Sequence, residues 1–271
     1  MKKKSEHKQL KVIAKGLWVG STMTVPGVSG GTMAVVAGIY EDLLHSVNQL
    51  RREPLRQIPF LLQFVLGAGT GFLLLAGIIT RLLQNEMTGE AVRLLFFGIV
   101  AGGIPLLVQK AEVKKFSVRH VLYLLCGAGI VWGLAGIPQG TFLNADGWMG
   151  ILLQVLGGVL IAVALILPGI SVTHMLYILG MYEVVLEYVY HFQILKLVPL
   201  VAGGLLGTFF TTGMLEHMLK RYKEAVYLVI IGFVAGSLIS LLPPGGIHTP
   251  LVDLFVCVAG FFAMYRISRY A

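Results

Sequence analysis

Charged residues are scarce in this sequence of 271 residues. Asp, Glu, Lys and Arg together make up 13% of it, about half of the roughly 25% that is usual for soluble domains. Apolar residues make up 56%, and the mean hydropathy is +0.84. Because a soluble domain of this length cannot bury so large an apolar fraction, the composition excludes a soluble enzyme and a nucleic-acid-binding protein and predicts an integral membrane protein.

Cysteine is also nearly absent. Cys126 and Cys257 are the only two, and both lie within apolar runs, so the sequence offers no disulfide framework and no cysteine-based metal site. It also contains no phosphate-binding P-loop, no metal-binding cluster and no Ser-His-Asp arrangement. We therefore expect no cofactor, no metal, no nucleic-acid partner and no catalytic residue.

Basic residues outnumber acidic residues by 21 to 13. In membrane proteins lysine and arginine collect in the cytoplasmic loops, so the excess indicates extensive cytoplasmic segments. Residues 1–15 carry six of the lysines, and no small-residue cleavage site of a signal peptide follows them. We predict a basic cytoplasmic tail over 1–15.

Apolar runs fill most of the chain. Six runs of 18–23 residues match the roughly 20 residues that a helix needs to cross a bilayer; they are 58–80, 91–108, 120–137, 194–215, 224–242 and 251–268. Four further runs form two pairs, over 12–44 and 148–190, interrupted at Pro26-Gly27 and at Pro168-Gly169. Because proline removes a helix donor and glycine permits left-handed backbone, the chain is expected to turn or unwind at both places.

The sequence consists of two related halves, 16–137 and 148–271, with an extracytoplasmic linker over 138–147. Each Pro-Gly pair continues with an apolar residue and serine, and the two copies lie 142 residues apart. Further along, Glu90-Ala91-Val92 matches Glu224-Ala225-Val226 at a distance of 134 residues. Each half is therefore predicted to contain one broken pair followed by three spans.

The distribution of lysine and arginine decides between two topologies. If both broken pairs are re-entrant hairpins that enter and leave on one side, 18 of the 21 basic residues lie in the cytoplasm, and if each is one interrupted span only 13 do. The positive-inside rule favours the hairpins. Three spans per half then invert the second half relative to the first.

The predicted fold class is therefore an all-α integral membrane protein with an inverted-topology repeat, in which each half is a re-entrant helical hairpin followed by three transmembrane helices. Both termini would be cytoplasmic. The hairpins would enter from opposite faces and bring their tips together near the midplane, where transporters of this design bind their substrates.

The hairpin tips carry the residues best suited to bind an anion. Hydroxyl groups and unobstructed N–H groups at a helix start favour phosphate. The candidate binding residues are Ser29, Gly30, Gly31 and Thr32 in the first tip and Ser171, Thr173 and His174 in the second, with turns at Pro26, Gly27, Pro168 and Gly169. The alternative is that Pro-Gly-x-Ser only caps a helix and turns the chain; two copies placed to meet favour the binding site.

Five ionisable residues are further candidates. His174 lies deep in an apolar run, where ionisable groups are usually functional, although a packed, hydrogen-bonded histidine is the alternative. Glu41 and Glu183 occupy matching positions in the two halves, and solvation near the interface is their alternative. Arg81 and Arg93 flank the same predicted outer loop and would capture phosphate there, unless they are snorkelling interface residues.

Three stretches resemble the polyprenyl-phosphate transporter (PopT) family: VPGVSGGTMAVVAGIYE (25–41), LPGISVTHMLYILGMYE (167–183) and EAVRLLFFGIVAG (90–102). The resemblance implies that the protein returns undecaprenyl phosphate from the outer to the inner leaflet of the bacterial plasma membrane for cell-wall precursor synthesis. The family's Pro-Gly-x-Ser-Gly-Gly-Thr element falls on residues 26–32, whereas the second copy keeps only Pro168, Gly169 and Ser171.

Inward movement of a phosphate raises an energetic problem. Moving one negative charge against a potential of about 100 mV costs about 2.3 kcal/mol. A co-transported proton would offset this cost, and His174, Glu41 and Glu183 are the candidate carriers because they are the ionisable groups nearest the predicted path.

Two other functions share part of this pattern. Integral undecaprenyl pyrophosphate phosphatases also pair inverted repeats with a Pro-Gly-x-Ser tip, but theirs continues with Arg-Ser, and a phosphatase needs that cation to stabilise the departing phosphoryl group. Here the matching positions are Gly30-Gly31 and Val172-Thr173. A secondary transporter of a small soluble anion would need the same tip chemistry, and only a lipid-sized side opening separates it from a lipid transporter.

Overall fold

The computed structural model describes residues 2–25, 27–137, 147–243, 246 and 248–269. In this part of the chain every regular element is a helix. The α-helices are α1 (Lys2–Thr22), α2 (Gly30–Val36), α3 (Tyr40–Gln49), α4 (Pro54–Gln84), α5 (Glu86–Ala111), α6 (Val118–Ala135), α7 (Gly147–Ile166), α8 (Val172–Ile178), α9 (Tyr182–Tyr190), α10 (Val198–Arg221), α11 (Lys223–Ser237) and α12 (Pro250–Ser268), with short 3-10 helices at Ile194–Leu197 and Leu238–Leu241. Pro26 and the predicted linker up to residue 146 lie outside the described residues.

Seven helical segments of the described chain are long and apolar enough to cross a membrane; they are Pro54–Gln84, Met87–Ala111, Val118–Ala135, Gly147–Ile166, Ile194–Arg221, Lys223–Leu241 and Pro250–Ser268. This confirms the prediction of an all-helical, multi-pass membrane protein. Six of the segments overlap the six predicted spans. The seventh is α7, the first arm of the second predicted hairpin, whose 20 residues extend about 30 Å.

The two broken pairs adopt the same succession of conformations. Each consists of a long helix (α1 or α7), a turn, a helix of seven residues (α2 or α8), a second interruption and a further helix (α3 or α9). The turns contain Gly27 at φ +91° and Gly169 at φ +82°, a backbone region that other residues enter only with strain. Ser29 and Ser171 follow as the N-cap residues of α2 and α8. The repeat seen in the sequence is therefore also a repeat of backbone conformation.

The most extensive helix contacts also occur in two copies. Helix α1 packs along α4 as α7 packs along α10, and α5 packs along α12 as α11 packs along α6. The contacts of α1 with α4 and of α7 with α10 each lie within one half of the sequence. The contacts of α5 with α12 and of α11 with α6 each join the two halves. Helices α2 and α11 lie at the centre, since most of their residues are buried. Large apolar side chains are exposed along α4, α10 and α12, as expected of lipid-facing helices.

Glycines allow these helices to approach closely. A Cβ atom on Gly67 of α4 would lie 2.3 Å from the carbonyl oxygen of Ile13 in α1, and a Cβ on Gly203 of α10 would lie 2.0 Å from that of Val155 in α7. Such contacts between backbones are typical of small residues in membrane helix interfaces. Gly129 and Gly133 of α6 are different, because nothing lies within 4 Å of a Cβ added at either position.

Two glycines of α4 provide a matched test of this packing. Gly67→Ala should lower the free energy of unfolding by about 1–3 kcal/mol, because α1 must move away from the new methyl group. Gly69→Ala, two residues along and facing open space, should leave stability unchanged or raise it slightly, since alanine favours a helix by about 1 kcal/mol. Thermal unfolding midpoints of the purified chain would check this, and equal midpoints for the two variants would contradict the packing.

Candidate functional site

The two Pro-Gly turns line one cavity. Its volume is about 560 Å³, within the usual range of ligand pockets. The first turn contributes the backbone and side chains around Val28 and Ser29, and the second contributes those around Ile170 and Ser171. The ends of α6 and α11 form the remaining wall, where the indole N–H of Trp132 donates to the carbonyl of Gly236 at 3.2 Å.

The lining combines hydroxyl groups with apolar side chains. The residues with hydroxyl groups are Thr24, Ser29, Ser171, Thr173, Tyr177, Ser237 and Ser240. His174 is the one basic side chain among the lining residues that the structure describes, and it lies near the wall of α6, with Nε2 donating to the carbonyl of Leu134 at 3.3 Å. The cavity can therefore offer hydroxyl, amide and imidazole donors, but it has no lysine or arginine in its described lining.

The two N-cap serines differ in how their hydroxyl groups are used. The hydroxyl of Ser171 accepts a bond from the backbone N–H of His174 at 3.4 Å, whereas Ser29 makes no such capping bond. Ser29 is nevertheless buried and faces the cavity. Of the two, Ser29 retains the hydroxyl that is free of a capping role.

Gly31 and Thr32 contact the second broken pair and do not line the cavity. The hydroxyl of Thr32 accepts a hydrogen bond from the backbone N–H of Gly169 at 2.7 Å. Gly31 packs close to the carbonyl oxygens of Leu165 and Ile166, each 3.3 Å from where its Cβ would be. Next to them, the hydroxyl of Tyr40 donates to the carbonyl of Ile166 at 2.8 Å. Of the seven predicted binding residues, five line the cavity and these two hold its walls together.

Glu41 and Glu183 lie outside the cavity. Glu41 accepts hydrogen bonds from Lys110 at 2.7 Å and from the hydroxyl of Tyr227. Burial would raise the pKa of Glu41, but these hydrogen bonds, with the charges of Lys110 and Lys223, hold the pKa below its usual value. Glu41 is thus an ionised residue beside a second, smaller cavity of about 270 Å³. Its counterpart Glu183 is exposed on α9.

The structure places Arg81 and Arg93 on either side of the junction between α4 and α5. The predicted loop between them is a single residue, Asn85, whose side chain caps α5 by accepting from the backbone N–H groups of Met87 and Thr88. Arg81 lies in the last turn of α4, and Arg93 lies within α5. Neither residue lines the cavity. The N-cap asparagine explains the difference, because it lets α5 begin at once where the polar residues had indicated a loop.

Several buried acidic residues escaped the sequence analysis. Glu216 of α10 is held by His45 at 2.9 Å, by Asn48 and by Lys220 at 2.7 Å. Glu90 of α5 is bonded by His248, and Asp253 of α12 lies beside it. The available signal was that Asp253 lies within an apolar run and that Glu90 and Glu216 lie next to one. Most of their partners, however, lie far away in the sequence.

Comparison with known proteins identifies the family. Residues 19–252 match the model of the VCA0040-like family, described as undecaprenyl phosphate translocase-like. The chain is 29% identical over 252 residues to a polyprenyl-phosphate transporter of Vibrio cholerae, covering 86% of this chain and 78% of that protein. It is 28% identical over 278 residues to a polyprenyl-phosphate transporter of Staphylococcus aureus, covering 95% of each. No solved structure matches the chain.

The bond between the two turns can be tested at Thr32. Thr32→Val removes the acceptor and leaves the buried N–H of Gly169 without a partner, which should lower stability by about 1–3 kcal/mol. Thr32→Ser keeps the hydroxyl and should remain close to the wild type. Thermal unfolding of the two variants would check this, and a valine variant as stable as the serine variant would show that the bond does not hold the turns together.

Proposed function

We propose that this chain, which belongs to the undecaprenyl phosphate translocase-like family, carries undecaprenyl phosphate from the outer to the inner leaflet of the bacterial plasma membrane and so returns the lipid carrier to cell-wall polymer synthesis. The observation that carries the proposal is the cavity between the two Pro-Gly turns, which joins polar donors to an apolar wall. The relatives from Vibrio cholerae and Staphylococcus aureus are named polyprenyl-phosphate transporters.

The phosphate group would bind at the meeting point of the turns. Ser29, Ser171 and Thr173 supply hydroxyl groups, Gly30 supplies an N–H group at the start of α2, and His174 supplies an imidazole. The first N–H groups of a helix have no partner within the helix, so those at Gly30 add to the hydroxyl donors. A site without lysine or arginine in its described lining suits a carrier, because it lacks a permanent positive charge that would slow the release of the phosphate.

The isoprenoid tail would leave the cavity sideways. The apolar part of the lining includes Val131, Trp132, Leu134, Leu165 and Ile239. Trp132 and Leu165 are each about half exposed. A cavity of about 560 Å³ holds a headgroup and the start of a tail, so the rest of a polyprenyl chain would remain in the lipid. This apolar side favours a lipid over a small soluble anion.

The membrane arrangement that we propose is the inverted repeat. The matching conformations of the two broken pairs and the doubled helix contacts support a repeat, and the distribution of basic residues supports re-entrant hairpins that enter from opposite faces. The N- and C-termini would then be cytoplasmic. Helix α7, with 20 residues, would form the first arm of the second hairpin.

A proton would offset the charge of the phosphate. His174 is the best supported of the three predicted carriers, because it lines the cavity. Glu41 is fixed by Lys110 and Tyr227, and Glu183 is exposed on α9, so both would act at the ends of the path. Neither Arg81 nor Arg93 reaches the cavity, and an outer capture role for them would precede binding.

A phosphatase is the alternative from another functional class. Phosphoryl transfer needs a cation that stabilises the departing group, and the described lining of the cavity contains no lysine or arginine. The relatives are named transporters. Release of inorganic phosphate from undecaprenyl pyrophosphate by the purified chain would contradict the transport proposal.

Transport can be measured in liposomes that contain undecaprenyl phosphate. Ser29→Ala should slow movement between leaflets about tenfold or more, because a hydrogen bond to a charged group contributes about 1.5–3 kcal/mol. Ser21→Ala is the matched control, since Ser21 is also buried but bonds to the carbonyl of Leu17 in its own helix at 2.7 Å. Wild-type rates equal to those of protein-free liposomes would overturn the function, and an unchanged Ser29→Ala variant would overturn the site.

The topology can be tested separately with impermeant thiol reagents. In a chain whose two cysteines are replaced by serine, Arg52→Cys follows the first hairpin and His191→Cys follows the second, and both positions are exposed. We expect Arg52→Cys to react from the cytoplasmic side and His191→Cys from the outside of intact cells. Reaction of both from the same side would contradict the inverted repeat.

A further inference from the structure

Two acidic side chains of the described chain face each other in the protein interior. Glu90 near the start of α5 and Asp253 near the start of α12 are only 4% and 2% exposed, and their carboxyl groups lie within hydrogen-bond reach of each other. Ionised carboxylates can only accept hydrogen bonds. A hydrogen bond between these two groups therefore requires that one of them carries a proton.

The remaining contacts of the pair supply no positive charge that is permanently present. Glu90 accepts hydrogen bonds from the backbone N–H of His248 at 2.7 Å and from its Nδ1 at 3.1 Å, and Asp253 accepts from the hydroxyl of Thr249 at 3.0 Å. Asp253 Oδ1 is buried and has no hydrogen-bond donor among the described residues. A buried oxygen of this kind calls for a partner that the described donors do not supply, such as a water, an ion or a shared proton, and the neighbouring carboxyl group of Glu90 can supply a shared proton.

Other charged groups around the pair are few. Arg93 lies one turn further along α5 and Arg81 lies near the end of α4, but no described lysine or arginine comes within 4 Å of either carboxyl group. Helix α2 and the 3-10 helix Leu238–Leu241, which also pack against α5, have no ionisable residue. The charged residues of α11 are confined to its first turn, at Lys223 and Glu224. Two buried carboxylates in such surroundings would repel each other strongly if both were ionised.

Glu216 shows what a buried carboxylate looks like when it is held ionised. It is as deeply buried as Glu90, but it bonds to Lys220, His45 and Asn48. The carboxyl group of Glu216 is thus paired with a lysine, whereas that of Glu90 is paired with a second carboxyl group, that of Asp253. This difference indicates a proton between Glu90 and Asp253.

We propose that Glu90 and Asp253 form a proton-binding site, in which the two carboxyl groups share one proton that enters from the aqueous phase through His248. The imidazole of His248 is 59% exposed while it contacts the nearly inaccessible carboxyl of Glu90, so it connects water to the pair. No other reactant is needed, because the proton moves from water to the imidazole and on to a carboxylate oxygen.

Part of the cavity wall packs against α5, the helix that carries Glu90. The 3-10 helix Leu238–Leu241 carries the lining residues Ile239 and Ser240, and it packs against α5. His248 follows in the same connection between α11 and α12 and is held by Glu90 through its backbone and its ring. Loss of the proton would change the charge of the acid pair that holds His248 and whose Glu90 lies on a helix packed against the cavity wall. We infer that the proton state of the pair is transmitted to the wall of the cavity and couples transport to pH, a step that rests on the proposed function.

Infrared spectroscopy of the full chain in lipid nanodiscs tests the proton directly, without transport. At neutral pH the wild type should show the carbonyl stretch of a protonated carboxyl group, and Asp253→Asn and Glu90→Gln should lose it. An amide can replace the shared proton as hydrogen-bond donor, so these variants should fold, which their thermal midpoints would verify. Glu216→Gln is the matched control and should retain the band.

Loss of the band in the two variants would support the proton site, and the following outcomes would overturn it. A band that is absent in the wild type, or that survives in both Asp253→Asn and Glu90→Gln, would overturn the proton site. A wild-type band that appears only in sodium-free buffer would show that the pair binds a metal cation in place of the proton, and would overturn it as well.

The coupling is tested in the liposome assay. The wild type and Glu216→Gln should respond to the pH of the outer solution, and Asp253→Asn should lose that response because its pair no longer titrates. An Asp253→Asn variant with the pH response of the wild type would overturn the coupling. Absence of transport in every variant, with the infrared result as expected, would overturn the proposed function and leave the proton site supported.

Discussion

Two helical segments of this fold are interrupted, and each interruption leaves backbone N–H and C=O groups without hydrogen-bond partners inside a helix. The rest of the structure depends on the partners that these groups find elsewhere. Non-helical backbone is tolerated at membrane depth only where it is buried in protein or lines a cavity. Here the first broken pair supplies those partners for the second. The hydroxyl of Thr32 accepts from the N–H of Gly169, and the hydroxyl of Tyr40 donates to the carbonyl of Ile166. These bonds fix the two turns side by side, and the cavity is the space left in front of them.

The sequence predicted much of this arrangement because its strongest signals are local or periodic. Apolar runs located the long helices, and the repeated Pro-Gly motif located the two turns that line the cavity. The sequence could not separate the residues that face the cavity from those behind it: Ser29 and Thr32 are three residues apart and chemically alike, yet one lines the cavity and the other bonds to the second turn. That distinction depends on where α7 ends against α2, which is a tertiary contact.

Residues that act through distant partners were the hardest to predict. Asn85 is one example, because the polar segment around it indicated a loop, whereas its side chain caps α5 and lets two long helices follow each other directly. Glu90 is the first residue of a repeated motif, but its partners His248 and Asp253 lie near the other end of the sequence. The packing of α5 against α12 brings these three residues together. The residues next to each of them in the sequence contain no sign of that contact.

The two halves share a backbone plan but differ in charge. In each half a glutamate near the start of the fifth helix contacts a histidine beside the start of a helix from the other half, Glu90 with His248 and Glu224 with His120. Glu224 is about half exposed, whereas Glu90 is buried and faces a second acid. The buried acid pair is thus confined to one of two otherwise corresponding contacts, since Glu224 has the histidine but no second buried acid among its described partners. The two halves therefore differ in chemistry where their backbones correspond, and that difference comes from the side chains that α12 brings to α5.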